Sequence, residues 1–261
     1  YVDVGKGPSL LMIHGLGGRI ENWQYNIKLL SAKFRVVAID LPFHGKTFST
    51  TDSLDEALIL STVQHFIKAI KLIHFYLLGA SFGGLLSLLL YSSYKHLIRG
   101  LILVCSVGLG EEYKPPLISR LYNKINSAIQ KNKIDDNNIV GINEKQLRIV
   151  LAENLFYDRS LIPDFIVDNS EENKSFPKRK EMHNNIRRIM FGLRPNLRNI
   201  KCKVLIIWGK NDKIMPYRNG IKAHADLENS SFILLEKCGH LPFIEKTDLF
   251  NKLLLDYLLE N

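Results

Sequence analysis

Long apolar stretches are missing from this chain: its most hydrophobic run, residues 85–90, falls far short of the roughly eighteen residues a membrane span needs, so no transmembrane helix is predicted. Cysteine is scarce too. Only Cys105, Cys202 and Cys238 occur. They have no paired spacing and the first two lie in or beside predicted strands, so buried thiols in a reducing compartment are expected rather than disulfides, and with them a cytoplasmic setting. No positively charged lead followed by an apolar core opens the sequence. It begins at Tyr1 rather than at methionine, and residues ahead of it are expected to have been removed. Internal repeats and low-complexity tracts are absent.

What is present is enough for a sizeable core. At 261 residues, 46% hydrophobic and 23% charged, the chain fits one α/β domain, or one domain with an insertion. The net charge of +9 is concentrated: residues 174–203 carry ten lysines and arginines against one acid, Glu181, and the remainder is formally neutral. A solvated basic face is the plain reading. A local field that attracts an anionic substrate or an acidic carrier protein is the sharper one. Nucleic acid is not expected as a partner, because no aromatic interleaving or binding motif accompanies the charges.

Buried strands are predicted at 9–13, 35–40, 75–78, 100–105, 203–208 and 231–236, each a continuous apolar run, with helices at 21–32, 54–70 (capped by Ser53), 217–226 and 248–259. Such alternation indicates a parallel sheet covered on both faces, with ligands at the carboxyl ends of its strands. Between 114 and 199 no buried strand is evident. Helical patterns at 116–131, 143–156, 163–167 and 178–191 predict an α-helical insertion, too long for an ordinary connection.

The stretch Gly79-Ala80-Ser81-Phe82-Gly83-Gly84 reads as strand, sharp turn and helix with a serine at the apex. Glycines two residues either side of Ser81 are what so tight a turn requires, and the strained backbone would hold the hydroxyl out of the sheet at a helix N-terminus. A serine hydroxyl needs a base, and the base needs an acid to fix its tautomer. Two late strand ends offer both: Asp212 in Trp208-Gly209-Lys210-Asn211-Asp212, and His240 in Cys238-Gly239-His240. The order Ser81, Asp212, His240 is the one that accompanies this elbow.

Residues 9–110 and 200–258 resemble the α/β-hydrolase superfamily, through His14-Gly15-Leu16-Gly17-Gly18, Asp40-Leu41-Pro42-Phe43-His44-Gly45, the Ser81 elbow, Gly209 with Asp212, and Gly239-His240. The insertion, with Leu155-Phe156-Tyr157-Asp158, looks like the helical lid of the serine esterases and carbon–carbon bond hydrolases of that superfamily. The resemblance implies an α/β fold, a doubly wound, mostly parallel sheet with an α-helical lid inserted after the sixth strand. It divides the chain into a core, 1–112 and 200–261, and a lid, 113–199. It also implies an oxyanion hole from the amides of Leu16 and Phe82, and a loop-supporting role for His14.

The implied activity is hydrolysis of a carboxylic ester through an acyl-enzyme, with no metal or organic cofactor. Serine at position 81 argues against the aspartate-dependent epoxide hydrolases and dehalogenases of the same fold. Trp23, Phe82, Phe156, Tyr157 and Phe243 are candidate pocket walls. A carbon–carbon bond hydrolase of a keto acid, with Arg187 or Arg188 holding the carboxylate, is the alternative enzyme. A small-molecule receptor without turnover is the alternative outside catalysis.

Overall fold

The computed structural model describes residues 1–47, 56–110, 149, 152–167, 193 and 195–260. Seven strands form one sheet: β1 (Val2–Val4), β2 (Ser9–Ile13), β3 (Arg35–Ile39), β4 (Phe75–Ala80), β5 (Ile98–Val104), β6 (Lys203–Gly209) and β7 (Ser230–Leu235), in the order β1-β3-β2-β4-β5-β6-β7. Only β1 runs antiparallel, beside β3, and every other pairing is parallel. Apart from Ser9, Arg35, Arg99 and Lys203 near their starts, the interior strands are apolar, because helices cover both faces. All six residues of β4 are buried.

The six strands read from the sequence are present, and β1 is added. It escapes a periodicity reading because it has three residues and two of them are exposed. A fork between Arg35 and Asp3 fastens it: Nε donates to Oδ1 at 2.9 Å and a terminal nitrogen to Oδ2 at 2.6 Å. That pairing holds the Asp3 carboxyl below its ordinary range. The segment expected as an insertion therefore follows the fifth strand of the described sheet, one earlier than expected, because a single strand precedes β2.

Described helices are α1 (Gln24–Leu30), α2 (Glu56–Ala69), α3 (Phe82–Tyr94), α4 (Asp164–Val167), α5 (Arg218–Asp226), α6 (Pro242–Glu245) and α7 (Thr247–Leu259). The helix expected at 21–32 is split, with a 3-10 turn at Ile20–Trp23 ahead of α1. Of the helices expected in the insertion, 152–155 and α4 are seen, while 116–131, 178–191 and the cap Ser53 lie outside the described residues. No helix among the described residues is long and apolar enough to cross a membrane. Cys105 and Cys238 are buried, Cys202 is half-buried, and all three are free thiols.

The strand order sets where a site can form. From β2 the chain moves outward to β3, then returns to place β4 on the other side of β2. The loops leaving β2 and β4 thus diverge at the switch point of the sheet, where open α/β sheets carry their ligand crevice. Those loops hold His14–Gly18 and Ser81.

Leu77, at the centre of β4, is fully buried and flanked in register by Leu11 and Leu101. Leu77→Ala is expected to lower unfolding free energy by about 2–5 kcal/mol. Urea denaturation measures it, and a loss below about 1 kcal/mol would contradict a packed central strand.

Candidate active site

Ser81 ends β4 and caps α3 with φ 52° and ψ −114°, a left-handed conformation unfavourable for any residue with a Cβ. Its backbone is held from three sides. Its N–H donates to the Val104 carbonyl at 2.8 Å, and its own carbonyl accepts from Gly84 and Val107, both at 3.0 Å. The turn closes only because its flanks are glycines: a Cβ on Gly79 would lie 2.2 Å from the Gly83 carbonyl oxygen, and one on Gly83 would lie 2.2 Å from that of Ile13. The sequence reading anticipated the crossing of the turn; the contact with the end of β2 is new.

The loop after β2 rests directly on this elbow. A Cβ on Gly15 would come within 3.1 Å of the Ser81 Cβ. His14 shapes the loop from beneath: its Nε2 accepts the Leu41 N–H at 3.0 Å, which leaves Nδ1–H to donate to the Gly15 carbonyl at 2.8 Å. Both bonds need the neutral ring, and burial pushes the His14 pKa down to about 4. Leu16, half-buried, follows in the turn closed by the Gly18 N–H on the Gly15 carbonyl at 3.0 Å. Phe82, fully buried, is the first residue of α3.

Asp212 leaves β6 and turns its carboxylate inward, where Oδ1 accepts the N–H groups of Ile214 at 2.8 Å and Met215 at 2.9 Å. Oδ2 lies 2.7 Å from Nδ1 of His240, which follows β7. The Asp212 side chain is 0% exposed and that of His240 4%. A carboxylate is an acceptor, so Nδ1 carries the proton and the neutral ring presents the Nε2 lone pair. Ser81, Asp212 and His240 therefore stand at the carboxyl ends of β4, β6 and β7.

Two neighbours were not foreseen. Cys105, at the end of β5 with φ 44°, has ligand-capable atoms of Asp212 and His240 within 4.8 Å of its own. Burial, and then the Asp212 charge, push its thiol well above the usual range, so it is no nucleophile. Cys105, Asp212 and His240 form the one trio of potential metal ligands among the described residues. The Asp212 oxygens are already taken by two amides and the imidazole, and His240 Nδ1 is committed to Asp212, so the trio does not suit a metal ion. Glu245 is the second neighbour. Its carboxylate accepts three backbone N–H groups, of Tyr157 at 2.8 Å, Asp158 at 2.7 Å and Gly239 at 2.6 Å. An acid closing the otherwise apolar stretch Pro242–Glu245, five residues after a candidate base, was the sequence signal for it.

The expected pocket walls fare differently. Trp23 and Phe243 pack against each other with ring centroids 4.4 Å apart, and Trp23, Phe82, Phe156 and Phe243 have at most 2% of their surface exposed. All four belong to the buried core. Tyr157 is 46% exposed. Arg187 and Arg188 lie outside the described residues, as does most of the basic run 174–203.

The family model described as "alpha/beta hydrolase fold" matches residues 8–247. The chain belongs to the alpha/beta hydrolase family. Within it, the monoacylglycerol lipase ABHD6 of Mus musculus is 28% identical over 262 residues, spanning 97% of this chain and 76% of that protein. A 2-hydroxy-6-oxononadienedioate/2-hydroxy-6-oxononatrienedioate hydrolase of Escherichia coli is 26% identical over 275 residues, spanning 99% and 90%. Among alpha/beta hydrolases of known structure, the meta-cleavage product hydrolase CumD of Pseudomonas fluorescens IP01 superposes with a TM-score of 0.80 at 22% identity, over 99% of this chain and 93% of that one. An esterase of Exiguobacterium antarcticum gives 0.75 at 20%, over 98% and 93%.

The neutral His14 ring makes a pH prediction. Its folded pKa, about 4, lies below the ordinary 6.5. The unfolded chain therefore takes up the proton first as pH falls, so the stabilisation is full above pH 6.5 and is lost between 6.5 and 4, on the order of 3 kcal/mol in all. The stability advantage of the wild type over His14→Gln should shrink across that window in denaturation curves. A pH-independent difference would show that His14 does not titrate in this way.

Proposed function

We propose that this chain hydrolyses carboxylic esters through an acyl-enzyme, with Ser81 as nucleophile, His240 as general base and Asp212 as the acid that orients it. The observation that carries the reading is the 2.7 Å pairing of His240 Nδ1 with the buried Asp212 carboxylate, at the carboxyl ends of the strands, where the Ser81 elbow also stands. In this mechanism Ser81 Oγ attacks the carbonyl carbon while its proton passes to His240 Nε2. The oxyanion is received by the amides of Leu16 and Phe82, aimed by the glycine loop and by the start of α3. Collapse expels the alcohol, which takes the proton from His240. A water activated by the same nitrogen then releases the acid.

The ABHD6 likeness supports an acyl ester as substrate and makes a monoacylglycerol the first compound to try. The Escherichia coli relative supports a second reading, cleavage of a carbon–carbon bond in a vinylogous keto acid by the same three residues. In either reading residues 113–199 act as a lid on the core 1–112 and 200–261, with Tyr157, Arg187 and Arg188 as its pocket-facing candidates. No feature of the described residues supports docking of an acidic carrier protein on the basic run, which stays a solvated charged face in this proposal. No metal or organic cofactor enters the reaction.

A fluorophosphonate should label the wild type and fail to label Ser81→Ala. Absence of labelling in the folded wild type, with ligand-induced stabilisation kept in the variant, would favour a receptor instead. Chromogenic esters of rising acyl length, assayed beside a vinylogous keto acid, separate the two enzymatic readings by which one turns over. Asp212→Asn should lower kcat by about 10³- to 10⁴-fold, since the amide would stabilise the wrong imidazole tautomer. A loss under about tenfold would remove Asp212 from the role.

A further inference from the structure

Three backbone segments meet at one carboxylate beside the candidate base. Glu245, only 6% exposed, accepts the Tyr157 and Asp158 N–H groups on Oε1 and the Gly239 N–H on Oε2. Between them the His240 N–H donates to the Leu155 carbonyl at 2.7 Å. The fit is close: a Cβ on Gly239 would lie 2.4 Å from the Leu155 carbonyl oxygen. The loop bearing His240 is thus anchored on residues 155–158, far away in sequence, through a group that is an acceptor on every side.

We propose that Glu245 is a positioning residue for His240, locking the loop that carries the base onto residues 155–158. The proposal rests on the serine-hydrolase reading above. It makes the alignment of the imidazole depend on a stretch inside the expected insertion as well as on Asp212. Neither oxygen of Glu245 touches the imidazole, so its influence runs through the backbone of Gly239 and His240. A carboxylate suits this position because both of its oxygens must accept. Glutamine would face one of the amides with a donor, and the pairing on that side would open.

Glu245→Gln should lower kcat for a chromogenic ester by about 10- to 100-fold, the scale expected of a misplaced catalytic group, with KM changed by no more than about twofold. It should also shift or broaden the downfield proton resonance of His240 Nδ1–H, and raise amide exchange at Tyr157, Asp158 or Gly239. Val63→Ala, a buried change on α2, controls for destabilisation and should leave the resonance in place. A folded Glu245→Gln with kcat within about threefold of wild type, or with an unaltered resonance, overturns the proposal. Should Glu245→Gln fail to fold, Gly239→Ala displaces the same pairing and takes the same readouts and the same criteria. Failure of the wild type to react with a fluorophosphonate would overturn the hydrolase reading instead, while resonance and exchange still report on the positioning of His240.

Discussion

The close approach of backbone to backbone at the end of β4 is the constraint on which the site depends. Ser81 keeps its left-handed conformation because the Gly79 and Gly83 main chains nearly touch and Gly83 lies against the last residue of β2. Strain of this kind, on the order of 1–3 kcal/mol, persists only where the surroundings over-determine it. Here they do: β4 is buried along its length and paired on both sides, and three main-chain hydrogen bonds fix the serine itself. The same contact brings the loop after β2 against the elbow, so the proposed nucleophile and the loop proposed to receive the oxyanion are positioned together.

Around that point the loops are organised by buried acids receiving backbone amides. Asp40 accepts from Ile20 at 2.8 Å and Lys46 at 2.9 Å, joining the turn after β3 to the start of the 3-10 turn at Ile20–Trp23. Asp212 accepts from Ile214 and Met215, and Glu245 from Gly239, Tyr157 and Asp158. A buried carboxylate is costly unless its lone pairs are filled, and hydrogen bonds to a charged acceptor contribute about 1.5–3 kcal/mol each. Loops rich in glycine and turns cannot pair their amides as strands do, and an acid supplies the missing acceptors. Only Asp212 then has an oxygen directed to a histidine, which distinguishes it from acids that solely hold loops.

Local signals explain how much of this was legible. Continuous apolar runs announced six strands, and the glycine spacing around Ser81 announced the elbow, because each is encoded within a few neighbouring residues. The order of Ser81, Asp212 and His240 along the chain was readable as well. β1 was not, since three residues, two of them exposed, carry no pattern, and the Arg35–Asp3 fork that fastens them to β3 joins positions far apart in the chain. The packing of the aromatic residues was not readable for a related reason: Trp23 and Phe243 are 220 positions apart in numbering and meet only in the folded core.

Glu245 and Cys105 show where reading along a chain stops. Each lies near a recognisable motif, yet it has partners from distant segments, residues 157–158 for Glu245 and the loops after β6 and β7 for Cys105, and a sequence gives no register between them. The arrangement they reveal has a directional character. Ser81, the proposed nucleophile, is fixed by the central, most buried part of the sheet, whereas His240, the proposed base, is held by Asp212 after β6, by Leu155, and through Gly239 by Glu245 at the end of α6. Loops held by a few hydrogen bonds open more readily than central strands. On the proposed mechanism, changes in residues 155–158 would therefore act on proton transfer through His240 before they act on Ser81.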